Sequence, residues 1–386
     1  MTYDFDKITD RGGVFSLKWD EAAPSELPMW VADMDFETAP EVKDAAVSIA
    51  ERGIYGYSYA PSEYFEAISR FWERRYSYKI NPENIVFTTG VVAALSSLVR
   101  KLTTPAEKVL LQAPVYNIFY NSILNNGRVA VSSDLVYENG EYHIDFADLE
   151  EKLSDKQVTL MILCNPHNPI GKIWDRETLA KIGELCFKYG VTVISDEIHA
   201  PITKPGREYV PFASVNEICE QISVSCISAS KAFNLAGLQA AAVFAKNPVL
   251  LHKAWRGINT DEVGEPNAFA MKASIAAFNE GWQWLDALRE YLFENRAYAE
   301  KFIAENMSKC HPVRAEATYL MWLDVSHYTD NSTEFANKLR EKTGLFISGG
   351  MQYGECGRHF LRINLATQRE RVKKGLELLK KFIDTL

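Results

Sequence analysis

Five short apolar runs separated by longer amphipathic stretches constrain this chain more than any other feature. They lie at residues 85–88, 109–112, 159–164, 191–195 and 224–227. Each is β-branched or apolar almost throughout, as a strand covered on both faces must be. The segments between them carry helical spacing. The clearest runs over 176–189 and closes on Gly190, the residue a helix C-cap favours. Strand–helix alternation predicts an α/β architecture, a mostly parallel central sheet flanked by helices. A sixth run, 240–245, follows 224–227 too closely for a crossover helix, so it is expected to lie antiparallel to its neighbour.

At 386 residues, 47% of them hydrophobic, the chain is too long for one ordinary core. The pattern divides it into an irregular N-terminal segment (1–45), a large domain (46–280) and a smaller α+β domain (281–386), with the first segment packing on the last. The smaller domain opens on a long helical stretch, 281–307, and continues into short strands near 319–325 and 359–364.

The formal net charge of −9 and a pI of about 5.5 speak against nucleic acid as a partner. No apolar run approaches the length of a membrane span. Met1 to Asp10 is polar and acidic, unlike a secretory leader. The six cysteines form no C-x-x-C pair, and His143, His252, His311, His327 and His359 lack metal-ligand spacing. The expectation is a cytoplasmic protein with reduced thiols and no metal site.

In a parallel sheet, ligands bind beyond the carboxyl ends of the strands. The residues just past each run are therefore the informative ones. They are Thr89-Gly90-Val91-Val92, Ala113-Pro114-Val115-Tyr116, the Asn165 to Gly171 turn, Asp196-Glu197-Ile198-His199 and Ser228-Ala229-Ser230-Lys231. Taken singly they are bland. A lone lysine is usually solvated, Asn-Pro is ordinary turn chemistry, and a tyrosine is more often core. Collected on one rim they supply an anion-binding helix start, an aromatic ring, an amide, a carboxylate, an imidazole, a hydroxyl and an amine. Pyridoxal 5′-phosphate (PLP) chemistry uses each of these. The amine forms an imine and moves protons. The carboxylate keeps the pyridine nitrogen protonated, the ring of a tyrosine stacks, and the helix start binds the phosphate.

The stretches Asn165-Pro166-His167-Asn168-Pro169-Ile170-Gly171, Asp196-Glu197-Ile198-His199 and Ser228-Ala229-Ser230-Lys231 resemble, in order and spacing, the fold-type I PLP enzymes of the aminotransferase class I/II superfamily. Three more narrow the likeness: Pro28 to Phe36 (PMWVADMDF), Lys231 to Leu238 (KAFNLAGL) and Phe360 to Ala366 (FLRINLA) resemble the MalY/PatB family of cystathionine β-lyases and C–S lyases. The resemblance spans nearly the whole chain. It implies that Lys231 holds PLP as a Schiff base and Asp196 faces the pyridine nitrogen. Asn168 and His199 would bond the ring oxygen, and Tyr116 would stack on the ring. Gly90, Val91, Val92, Ser228 and Ser230 would surround the phosphate. Arg362 would clamp the carboxylate of an amino-acid substrate, helped by Asn168 and the Ala32 backbone. Tyr57 would act in the partner's active site, implying a homodimer with shared sites.

Some positions depart from the family pattern. Ala200-Pro201 follows the imidazole where relatives often carry an acid, Ser348-Gly349-Gly350 replaces a frequent Pro-Gly, and Gln239 stands where many aminotransferases place an arginine on the phosphate. The implied activity is carbon–sulfur β-elimination, giving thiol, pyruvate and ammonia. The alternatives are amino transfer to a 2-oxo acid and a non-enzymatic regulator that keeps the fold.

Overall fold

The computed structural model describes residues 3–386. The six runs, with one further segment, form a seven-stranded sheet. Its strands are β1 (Ile85–Thr88), β2 (Lys108–Leu111), β3 (Val129–Ser132), β4 (Val158–Cys164), β5 (Thr192–Asp196), β6 (Ser223–Ile227) and β7 (Ala241–Phe244). Their spatial order is β1-β7-β6-β5-β4-β2-β3. All neighbouring pairs are parallel except those of β7, which runs antiparallel to both β1 and β6. Between β6 and β7 the only regular structure is the short 3-10 turn Ala236–Leu238, too little to carry the chain back across the sheet. The further segment, β3, is an edge strand with no fully buried residue, so it lacks the continuous apolar signal of a central strand.

Alternation along β4 explains why both faces are apolar. Leu160, Ile162 and Cys164 point into a core shared with Leu95 and Leu98 of helix Val91–Leu102 and with Leu250 and Ala254 of helix Pro248–Thr260. Met161 and Leu163 point the other way, onto Leu179, Ile182 and Cys186 of helix Arg176–Tyr189. That helix starts at Asp175, whose side chain accepts from Thr178 N at 2.7 Å. It ends at Gly190, φ 71°, a left-handed conformation that suits glycine.

A second sheet of four antiparallel strands runs in the order His311–Pro312, Leu320–Asp324, Phe360–Asn364, Ser348–Gly349. It is covered by helices Trp282–Asn306, Ser332–Thr343 and Arg369–Ile383 through Ile303, Leu339, Leu376 and Leu379. The N-terminal segment packs against this part of the chain. It is not wholly irregular: it contains a helical turn, Leu17–Asp20, and a two-residue strand, Leu27–Pro28, that pairs in parallel with Leu345–Phe346. A buried charge cluster fixes its course. Lys18 Nζ lies 2.8 Å from Asp35 Oδ2, and Arg11 reaches Asp33 at 2.8 Å and Asp35 at 3.0 Å. Removing one member of such a cluster costs about 3–5 kcal/mol, because its partner is left charged and dry. Among the described residues no helix is long and apolar enough to cross a membrane.

Candidate active site

Strand register brings the chemistry together. Cys164, Asp196 and Cys226 are neighbours across β4, β5 and β6, so the carboxyl ends of these strands are level. Above them opens a cavity of about 310 Å³, lined by Ala32, Gly90, Val91, Val92, Tyr116, Asn168, Asp196, His199, Ser230 and Lys231. Arg362, in an inner strand of the small sheet, joins it from the far side. Its Nη1 lies 3.4 Å from Asn168 Oδ1, and its Nη2 donates to Trp30 O at 2.9 Å.

Two expected residues stand apart. Ser228 is buried behind the wall, its hydroxyl donating to Ala240 O at 2.7 Å and accepting from Ser230 N at 3.0 Å. Tyr57 is fully exposed, in a run with exposed Ile54, Tyr55 and Tyr59, and does not line the cavity of its own chain.

Gly90 precedes the helix Val91–Leu102 with φ 154°, and no side chain caps that helix start. Its free first-turn N–H groups and the positive end of the helix form an anion site. Asp196 is the last residue of β5 and is buried. One oxygen accepts from Ile198 N at 3.1 Å. Burial pushes its carboxyl up to about 6, against the opposing pull of that amide and of Lys231. A carboxylate this dry gains from a cation on its free face.

Lys231 Nζ donates to Ala32 O at 2.7 Å. Burial, then the Arg362 charge, lowers its amine to about 8, with Asp33 and Asp196 opposing. A useful fraction of neutral, nucleophilic amine therefore exists near neutral pH. His199 is driven down to about 3, first by burial and then by the charges of Lys231 and Arg362. It is a neutral imidazole whose Nδ1 has no hydrogen-bond partner. Arg362 is 6% exposed, its Nε is likewise unpartnered, and its guanidinium lies 4.8 Å from the centre of the Tyr353 ring.

Other contributors were not read from the sequence. Tyr319 donates its hydroxyl to Ala32 O at 2.9 Å, so one carbonyl serves both this tyrosine and Lys231. Asn364 Nδ2 donates to Val31 O and Asp33 O, each at 2.6 Å, and holds the Ala32 segment over the lysine. A signal for Asn364 existed: it lies two residues beyond Arg362 in a strand and so shares its face. Tyr319 and Tyr353 gave none, since aromatic residues in an apolar pattern read as core.

A family model described as aminotransferase class I and II matches residues 27–379. The chain belongs to that family. Within the aminotransferase class I and II family, the cystathionine β-lyase PatB of Bacillus subtilis (strain 168) is 40% identical over 382 residues, covering 98% of this chain and 99% of PatB. The PLP-bound C–S lyase of Staphylococcus hominis is 34% identical with a TM-score of 0.93, covering 99% of this chain and 98% of that one. Cystalysin of Treponema denticola, whose crystal structure contains a pyridoxal 5′-phosphate cofactor, is 30% identical with a TM-score of 0.96 over the full length of both chains. The architecture described above is thus that of the fold-type I PLP-dependent enzymes.

Proposed function

We propose that this protein is a PLP-dependent carbon–sulfur β-lyase. It takes cystathionine or a related cysteine thioether, with water, to a thiol, pyruvate and ammonia. The observation that carries the reading is one cavity gathering an amine, a buried carboxylate and an uncapped helix start, with a single guanidinium facing them. The lyase names of relatives matched along the whole chain support it.

The residues fit the cofactor through what they leave unsatisfied: the Asp196 carboxylate without a full counter-charge, His199 Nδ1, and the open helix start after Gly90. When bound, PLP supplies an aldehyde that captures an amino group and a cationic ring that accepts the Cα electron pair. Lys231 would hold it covalently, take the Cα proton and return a proton to the departing sulfur. Asp196 would keep the ring nitrogen protonated, Asn168 and His199 would bond the ring oxygen, and Tyr116 would cover a ring face. Gly90, Val91, Val92 and Ser230 would hold the phosphate, with Ser228 bracing Ser230. Arg362 would exchange its Trp30 contact for the substrate carboxylate, which its planar fork matches in two places. No second guanidinium lines the cavity among the described residues, which suits a neutral thioether better than a dicarboxylate.

The same reading assigns the large domain to 46–280 and the small one to 281–386, supported by a seven-stranded and a four-stranded sheet that each carry a core cluster of their own. It makes the functional unit a homodimer in which Tyr57 reaches the partner subunit's phosphate, supported by the complete exposure of that side chain. Six free thiols suit a reducing cytoplasm. The test is to incubate the purified, cofactor-saturated protein with L-cystathionine and measure pyruvate and free thiol, beside amino transfer from L-aspartate or L-glutamate to a 2-oxo acid. Faster release of pyruvate supports the lyase; faster amino transfer with no pyruvate from thioethers replaces it with an aminotransferase.

A further inference from the structure

A second cavity, of about 460 Å³, shares no lining residue with the first. Four arginines face it: Arg75, Arg176, Arg207 and Arg289. Tyr76 lines it too, and its buried hydroxyl has no hydrogen-bond partner; nor does the buried Nε of Arg75. Both atoms are closed off from the cavity, and the buried Glu197 carboxyl acts on Tyr76 from the interior, so the donors this wall offers a ligand are its guanidinium groups.

The acids nearby leave much of this donor capacity free. Asp286 accepts from Arg75 Nη2 at 2.6 Å and from Arg289 Nη1 at 3.0 Å. Glu316 pairs with Arg207 at 2.7 Å, and Glu220 accepts from the Tyr78 hydroxyl at 3.2 Å. Glu208 is the one acid on the wall itself, and its side chain lies in an exposed stretch. Arg176 has no acid partner among the described residues; its Nη1 donates to the carbonyls of Ser214 and Val215 at 2.9 and 3.0 Å. Arg289 is fixed in place by Nε donating to Thr203 O at 2.8 Å and Nη2 donating to Thr203 Oγ1 at 3.0 Å. Guanidinium forks held in this way match the paired oxygens of phosphates and carboxylates.

We propose that this cavity is a binding site for a small multivalent oxyanion, phosphate- or carboxylate-bearing, distinct from the cofactor and substrate sites. Its wall is tied to the catalytic rim. The segment from Ala200 to Tyr209 continues directly from His199, and the Tyr209 hydroxyl donates to Asn165 O at 2.9 Å, at the base of the turn that presents Asn168.

The test is calorimetric titration of the cofactor-saturated protein with inorganic pyrophosphate and, separately, with citrate. At least one of the two binds saturably, one site per chain; which one does so distinguishes phosphate from carboxylate chemistry. R176Q/R207Q, both at exposed positions, weakens that binding by about tenfold or more while leaving the visible cofactor band unchanged. Arg362→Lys leaves it unaltered. The inference is overturned if neither probe binds in the millimolar range, if binding survives R176Q/R207Q, or if it disappears in Arg362→Lys, which would move it to the substrate clamp.

Discussion

Glu197, next to the cavity-lining Asp196 but absent from the cavity wall, offers a test with a calculable size. It is fully buried. Its Oε1 accepts from Ser195 Oγ at 2.9 Å, Ser225 Oγ at 3.1 Å and Phe212 N at 3.2 Å, while Oε2 has no partner. These bonds favour the anion, yet burial outweighs them and pushes the carboxyl from 4.5 up to about 7. An acid whose folded value is raised destabilises the fold when it ionises. The cost is absent below the unfolded value of 4.5, grows as pH rises, and is complete above about 7. At 1.36 kcal/mol per pH unit that interval amounts to about 3 kcal/mol. Glu197→Gln keeps the Oε1 acceptor and sets an uncharged amide where Oε2 stood. It therefore resembles the protonated parent and escapes the penalty. The variant is expected to match its parent near about pH 4.5 and to exceed it by about 2–3 kcal/mol near about pH 8.5. Urea unfolding midpoints of both cofactor-saturated proteins across this range measure the difference, in which every other titrating group cancels. A difference that does not change with pH refutes the reasoning, because the carboxyl would then not titrate between those values.

Lys231→Ala is expected to abolish the visible band of bound cofactor together with turnover; an absorbance scan and a pyruvate assay check both. Asp196→Asn should retain the cofactor but lose about a hundredfold or more in turnover, since an uncharged amide no longer holds a proton on the ring nitrogen; a two- or threefold loss counts against that role. Arg362→Lys should lower kcat/KM for L-cystathionine by about 10- to 100-fold through loss of the paired contact to the carboxylate, and an unchanged value would move the clamp elsewhere. Asn364→Ala removes the two bonds that tether Val31 and Asp33 and should cost about 2–4 kcal/mol in denaturant unfolding, with a rise in KM as the Ala32 segment loosens.

The catalytic rim was legible because parallel strands end level, so residues that follow separate apolar runs must meet. That logic located Asp196, Asn168 and Lys231 from their position at the end of β5 and just past β4 and β6. It also gave the antiparallel β7, from a connection too short to cross the sheet. It failed where the signal is not local. The edge strand β3 is half solvated and carries no continuous apolar run. The Ala32 backbone was placed in the site by its motif, but that its carbonyl takes hydrogen bonds from Lys231 and Tyr319 depends on residues about 200 and 290 positions away, which no local pattern registers. Tyr353, stacked beneath Arg362, looks like any buried aromatic residue. Ser228 was expected around the phosphate; its hydroxyl bonds Ala240 O and Ser230 N, one residue removed from the cavity wall.

Because Asn364 and Tyr319 fasten the Ala32 segment while Arg362 rises from the same late strand, the two halves of the site mature at different moments of synthesis. The shelf carrying Lys231, Asp196 and the Gly90 helix start is encoded before residue 245, whereas the strand Phe360–Asn364 lies near the end of the chain. At ordinary elongation rates the interval is on the order of ten seconds. During it a nascent chain carries Lys231 and the open helix start but neither Arg362 nor the fastened Ala32 segment. Cofactor capture can therefore precede substrate recognition. The last strand to be made adds Arg362 and Asn364 to a cavity whose other walls are already encoded.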